Sequence, residues 1–159
     1  MRKSIGIFVL SLIFVVSATT PAHASNPPVN GAVAGKELCP QFICGAAIFA
    51  GGFQGQIGNL NTSGVITTAL KHTDPLPVVK TDPPAVILGG VWEVRTLFQR
   101  VSGIAMPGGT IASNGDKTFH VNVVLKLTGS GQSGFLLFSG TLDHNPLIPS
   151  FFGTLTEIP

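Results

Sequence analysis

From Thr118 to Thr128 apolar and polar residues alternate almost without error. Phe119, Val121, Val123, Leu125 and Leu127 fall on one face. Thr118, His120, Asn122, Lys126 and Thr128 fall on the other, and only Val124 interrupts the polar set. Successive strand side chains point to opposite faces, so the pattern predicts a strand with one dry side; a helix would scatter these residues around its circumference. A Gly/Ser/Gln stretch, Gly129–Gly134, breaks the pattern, and Phe135–His144 resumes it with Leu136, Phe138 and Leu142 on one face. Two such runs joined by a short flexible loop pair antiparallel. Upstream, Asn114-Gly115 offers the two positive-φ positions of a type I′ turn, so Gly109–Ser113 should pair with the start of the Thr118 strand.

The same period appears earlier in the chain. Over Gly45–Gly58, Phe49, Gly51, Phe53, Gly55 and Ile57 alternate with Ala50, Gly52, Gln54 and Gln56. Large residues alternating with Gly predict a strongly curved strand. Asn59–Gly64 reads as a turn, with Asn61 in an Asn-x-Ser sequon, and Val65–His72 as the strand completing a hairpin. Thr73–Pro84 is too rich in Pro for a central strand and predicts a crossing loop. Ala85–Leu88 and Val91–Arg100 follow; in the second, Trp92, Val94, Thr96 and Phe98 oppose Glu93, Arg95, Leu97 and Gln99. Gly103–Gly109 reads as a turn, Pro146–Pro149 as a bend and Phe151–Thr156 as a last short strand. Strands at this spacing predict an all-β fold, an antiparallel barrel of seven or eight strands, with a β-sandwich as the alternative. Closure removes exposed edges, which a chain with so few charges needs.

The N-terminus changes the charge balance. Arg2 and Lys3, an apolar run over Ile5–Val16 and Ala22-His23-Ala24 form the pattern of a secretory leader cleaved after Ala24. About 12 apolar residues fall short of the roughly 20 that span a bilayer. Of nine Lys and Arg, two leave with the leader, and the remaining seven balance seven Asp and Glu. No basic field remains to attract nucleic acid or an anionic membrane surface. The expected organisation is a leader over residues 1–24, a flexible arm over 25–38 and one all-β domain over 39–159, with a secreted or periplasmic location. Cys39 and Cys44, the only cysteines, then read as a structural disulfide. A redox pair is disfavoured because four residues, not two, separate them.

Two short stretches carry a resemblance. Leu127-Thr128-Gly129-Ser130-Gly131 and Phe138-Ser139-Gly140-Thr141-Leu142-Asp143-His144-Asn145, with the Gly-rich strands and the Asn-Gly turn, resemble small secreted bacterial β-rich proteins. More loosely they resemble the eight-stranded barrels of the dirigent and allene oxide cyclase type. The resemblance covers the C-terminal half and implies a barrel; no catalytic motif of those enzymes maps onto a residue here. Within the chain, Leu70-Lys71-His72 before Asp74-Pro75-Leu76 echoes Leu142-Asp143-His144 before Pro146-Leu147. Strand ends rich in Asn, Asp and Pro look alike by chemistry, so the echo is too short to establish a duplication.

The inventory for chemistry is thin. His72, His120 and His144 have none of the usual metal spacings, and Gly131-Gln132-Ser133-Gly134 lacks the last residue of a nucleophile elbow and sits in a hairpin loop. No metal, cofactor or nucleic-acid motif is present. The polar residues best placed to face a lumen are Glu93, Arg95, His120, Asn122 and Lys126, beside Trp92. Three functions fit: a non-catalytic barrel binding a small apolar or amphipathic ligand, a lumen enzyme of cyclase or isomerase kind on a small hydrophobic substrate, and a structural surface or matrix protein, with homo-oligomers compatible with each. The discriminating feature is which face of the Thr118 strand points inward.

Overall fold

The computed structural model describes residues 29–129 and 132–159, and the expected leader lies outside them. The alternating runs become strands β1 (Val29–Cys39), β2 (Ala47–Ile57), β3 (Leu60–His72), β4 (Ala85–Thr96), β5 (Arg100–Ala105), β6 (Thr110–Ser113), β7 (Thr118–Leu127), β8 (Phe135–Asp143) and β9 (Ser150–Ile158). A one-turn helix, α1 (Gln41–Cys44), follows β1. Neighbouring strands are antiparallel, and the ring closes where β9 returns to β1 and β3 pairs with β4. The result is a barrel with eight strand positions, because β5 and β6 share one. β5 pairs with the second half of β4 and β6 with its start, and both pair with β7. Met106–Gly109 bulges between them, held by Ile87 N–H donating to the Gly109 carbonyl at 2.7 Å.

The inward face is the dry one. Phe119, Val121, Val123, Leu125 and Leu127 are buried in one core with Phe53, Ile66, Trp92 and Leu155. Curvature comes from inward glycines on facing strands: Gly35 stands opposite Gly51, and Gly31 opposite Gly55. Their Cα atoms approach so closely that a Cβ on Gly35 would collide with the Ala50 carbonyl oxygen, and the Phe151 ring lies over the space left. A second device sits in β4, where the pairing shifts between Lys71 and His72 at Leu88-Gly89, with Gly89 at φ 139°. The extra residue keeps Ile87 and Trp92 inward on either side of the bulge.

Three expectations need correction. The arm expected over residues 25–38 is, from Val29 onward, strand β1, paired on both sides. Small Ala and Gly residues look like a tether, yet inward Val29 and Val33 and the inward glycines are what a tightly curved strand requires. The first hairpin turns at Gly58-Asn59, with Gly58 at φ 64°, so the residues expected as a turn (59–64) largely belong to β3. The Asn114-Gly115 hairpin forms where expected but uses four residues, 114–117. Positive φ falls on Gly115 and Lys117 instead of Asn114, and Asp116 accepts the Thr118 N–H.

With β5 and β6 counted as one position, successive connections alternate between two ends. The upper end carries loops 40–46, 73–84, 114–117 and 144–149; the lower end carries the short turns, residues 128–129 and 132–134 and both described termini.

Candidate functional site

The lower half of the barrel is filled by buried apolar side chains. Val29, Ile57, Val94, Val101 and Leu136 belong to the core there, each at most 1 % exposed. The upper half holds a cavity of about 70 Å³. Its walls are apolar, formed by Phe49, Leu70, Trp92, Val123, Leu142 and Phe151 among others. Leu76, from the 73–84 loop, packs against the core and lines the same space. A single water needs only about 10–15 Å³ on this measure, so the space suits several heavy atoms.

Three polar side chains stand at the mouth: Glu37, His72 and His144. Each is the inward residue near the upper end of a rising strand, β1, β3 or β8. Glu37 is buried and His72 is buried, while His144 is partly exposed. His144 Nε2 lies 3.6 Å from Glu37 Oε2, and that nitrogen has no hydrogen-bond partner among the described residues. The His144 ring meets Phe119 edge-on at 5.1 Å. Burial pushes the Glu37 carboxyl above the ordinary glutamate value, with His72 pulling it back. Burial likewise lowers His144, aided by His72 and opposed by Asp143. Both directions work against an ion pair between Glu37 and His144. His72 Nδ1 lies 2.9 Å from the Thr73 carbonyl; a carbonyl only accepts, so Nδ1 carries the proton.

The loops around the mouth are tied to one another. Gln41, inside the loop closed by the Cys39–Cys44 disulfide, grips the end of β3: its Nε2 donates to the His72 carbonyl at 2.8 Å and to Asp74 Oδ2 at 2.9 Å, and its Oε1 accepts the His72 N–H at 2.8 Å. The 73–84 loop reaches the next turn through Ser113 Oγ, which donates to the Val78 carbonyl at 3.1 Å. Asn145 Nδ2 donates to the Asp116 carbonyl at 2.9 Å, and Glu37 N–H to the Pro149 carbonyl at 2.9 Å, which closes the circuit.

The six residues expected at a lumen do not come together. Trp92 points in and lines the cavity. Glu93 and Arg95 stand on the outer face, where Glu93 accepts from Arg95 Nε at 3.0 Å and from Arg100 Nε at 2.7 Å. Desolvation raises the Glu93 carboxyl, but Arg100 and Arg95 outweigh it and hold the group below its ordinary value. His120 and Lys126 are exposed on the outside of β7, and Asn122 lies between them on that face. The reason is the choice of face. A period of two says that one side is wet, and the wet side here is bulk solvent. Glu37 escaped notice because its segment read as a tether; His72 and His144 carried a signal, the Leu-x-His echo. Among the described residues no group of three or more His, Cys, Asp or Glu side chains is arranged to hold a metal ion.

Comparison with family models, with curated proteins and with solved structures finds no match for this chain.

Proposed function

We propose that the protein is exported and that its barrel binds one small, largely apolar molecule, with the body in the upper cavity and a polar end at Glu37 and His144. The observation that carries this reading is the cavity itself: a mostly apolar lining with Glu37, His72 and His144 at its upper end. Small-molecule sites share that composition, an apolar lining with a few polar groups that fix orientation. Export is supported by the leader pattern and by the Cys39–Cys44 disulfide, which suits an oxidising compartment. A carboxyl group accepts hydrogen bonds in either protonation state and an imidazole can donate, so the pair suits an uncharged polar end such as a hydroxyl.

Trp92 is the single tryptophan and lines the cavity, so its fluorescence is the natural probe. Titration with 1-pentanol should change the Trp92 emission saturably. Val123→Phe, which places a larger side chain in the same wall, should abolish the change while leaving the circular dichroism spectrum intact. A linear, unsaturable response in the parent protein would sink the reading.

A further inference from the structure

The loops at the upper end keep apolar side chains in water. Phe42 (85 % exposed) and Ile43 stand in the 40–46 loop, Val78 and Val79 in the 73–84 loop, and Leu147 (100 % exposed) and Ile148 in the 144–149 loop. Slack chain does not explain this, because each pair is held in place. Phe42 and Ile43 lie inside the ring closed by the Cys39–Cys44 disulfide, on α1, which has no buried residue. Val78 and Val79 both donate their N–H groups to Asp82 Oδ2, at 2.7 and 3.0 Å. Leu147 and Ile148 sit between Pro146 and Pro149, and the Pro149 carbonyl accepts the Glu37 N–H at 2.9 Å. Exposed apolar side chains gathered at one end mark an interaction surface. The charges there have an order of their own. Outside the buried Glu37, Lys36, Lys71, Lys80 and Lys117 balance Asp74, Asp82, Asp116 and Asp143 in number. The carboxylates are engaged by their own loops: Asp82 as above, Asp74 by Gln41 Nε2, Asp116 by the Thr118 N–H at 3.1 Å and Asp143 by the Asn145 N–H at 2.8 Å. All four lysines are exposed, and none makes an ion pair among the described residues.

We propose that this end of the barrel docks on a phospholipid bilayer with zwitterionic headgroups. Phe42, Ile43, Val78, Leu147 and Ile148 enter the boundary between headgroups and acyl chains, where their apolar area leaves water. The unpaired lysines keep their ammonium groups among the lipid phosphates while their stems follow the apolar level. The balanced charge count brings neither repulsion from such a surface nor a long-range pull, so the apolar residues carry the affinity and added salt changes it little. A second copy of this chain is a poorer occupant. A face-to-face pair would set unpaired lysines against unpaired lysines, and it would offer projecting side chains where the partner needs pockets. The upper cavity lies at the same end, with Leu76 of the 73–84 loop in its wall, so docking brings the proposed ligand site next to the membrane.

The test uses the whole protein and unilamellar vesicles of phosphatidylcholine, with binding read by co-sedimentation over a lipid titration. Two double variants are compared. One carries Phe42→Ser and Leu147→Ser at the upper end; the other carries Leu97→Ser and Phe98→Ser in the β4–β5 turn at the lower end, where the two side chains are 85 % and 81 % exposed. All four positions are on the surface, so circular dichroism and Tm should stay at the parent values. The upper pair should weaken partitioning at least about tenfold, and the lower pair should leave it unchanged. In the parent protein, bicelles containing a lipid with a paramagnetic headgroup should broaden the methyl signals of Leu147 and Val78 and spare those of Leu97; this decides the orientation if a variant does not fold. A parent protein that does not sediment with vesicles, undiminished binding by the upper pair, or equal losses from the two pairs would overturn the inference. So would self-association of the parent without lipid that the upper pair abolishes, since the occupant would then be a second copy. Vesicle binding and the pentanol titration are separate measurements, so docking can fail with lumen binding intact, and the reverse.

Discussion

Leu136 and Leu142 lie on the same strand, both point inward, and both are buried, at 0 % and 6 % exposure. They differ in what surrounds them. Leu136 belongs to the lower half; Leu142 lines the cavity. Truncating either to Ala removes the same atoms, so the transfer part of the cost is shared, about 2–3 kcal/mol. The rest depends on the void left behind, at about 24 cal/mol per Å³ of unrelaxed cavity. Leu136 is fully buried and does not line the cavity, so truncation there opens a new void, and one of about 80 Å³ would add about 2 kcal/mol. Around Leu142 the removed methyls already faced open space, so fewer contacts are lost and little is added.

Leu136→Ala should therefore cost about 4–5 kcal/mol and Leu142→Ala about 2–3 kcal/mol. Urea unfolding of the oxidised protein, followed by Trp92 fluorescence and by circular dichroism, measures both; coincidence of the two probes checks that the transition is two-state. The gap between the variants is more informative than either value, since errors in the unfolded-state reference largely cancel in it. Equal costs, or a greater cost at Leu142, would refute the reasoning. The upper half would then be as well packed in solution as the lower, and the cavity would lose its claim to be a binding site.

Further outcomes follow from the same geometry. Gly35→Ala should destabilise by about 2 kcal/mol or more, since its Cβ would collide with the Ala50 carbonyl oxygen and the Gly51 Cα; thermal unfolding reads this, and an unchanged Tm would contradict the close approach of β1 and β2. Glu37 has a raised carboxyl pKa, so the native state holds its proton more tightly than the unfolded chain, and its contribution to stability is present below the ordinary glutamate value and lost as pH rises through the folded value. Glu37→Gln cannot ionise, so the stability difference between variant and parent should shift in the variant's favour as pH rises from about 4.5 upward; unfolding midpoints at matched pH check this, and a constant difference would contradict it. Gln41→Ala removes three hydrogen bonds to the end of β3 and the 73–84 loop and should cost about 1–2 kcal/mol. The His72 amide, whose hydrogen Gln41 accepts, should then exchange with solvent markedly faster; unchanged exchange there would mean that the loop does not need the clamp.

The all-β class and most strands were legible because the alternation at Phe119–Leu127 and Phe49–Ile57 is strong and local. The barrel itself was legible as one of two closures; what decided it was β1, and β1 is written in residues that look like a linker. Ala and Gly carry little period-two contrast, and a strand that curves by bringing backbones together must be built from them. Strand pattern also could not say which face is inside. The Thr118 strand has Phe, Val and Leu on one side and His, Asn and Lys on the other, and either side can face a lumen if the lumen is wide and wet. Here it is narrow, because inward glycines draw the strands together, and only the apolar side fits.

The position of the rim follows from parity. In an antiparallel ring every second strand position rises, so residues at the ends of rising strands gather at one mouth however far apart they lie in sequence. With β5 and β6 counted as one position, β1, β3 and β8 all rise, and Glu37, His72 and His144 arrive at the same end. The Leu-x-His echo at residues 70–72 and 142–144 is thus explained without any duplication: each Leu is the last inward apolar residue of a rising strand, and each His is the next inward position, where the wall ends and the mouth begins. An apolar residue there would close the cavity into the core, and a permanently charged one would be costly beside so much apolar surface. Histidine, able to donate or accept, is the side chain that suits a boundary between an apolar chamber and water.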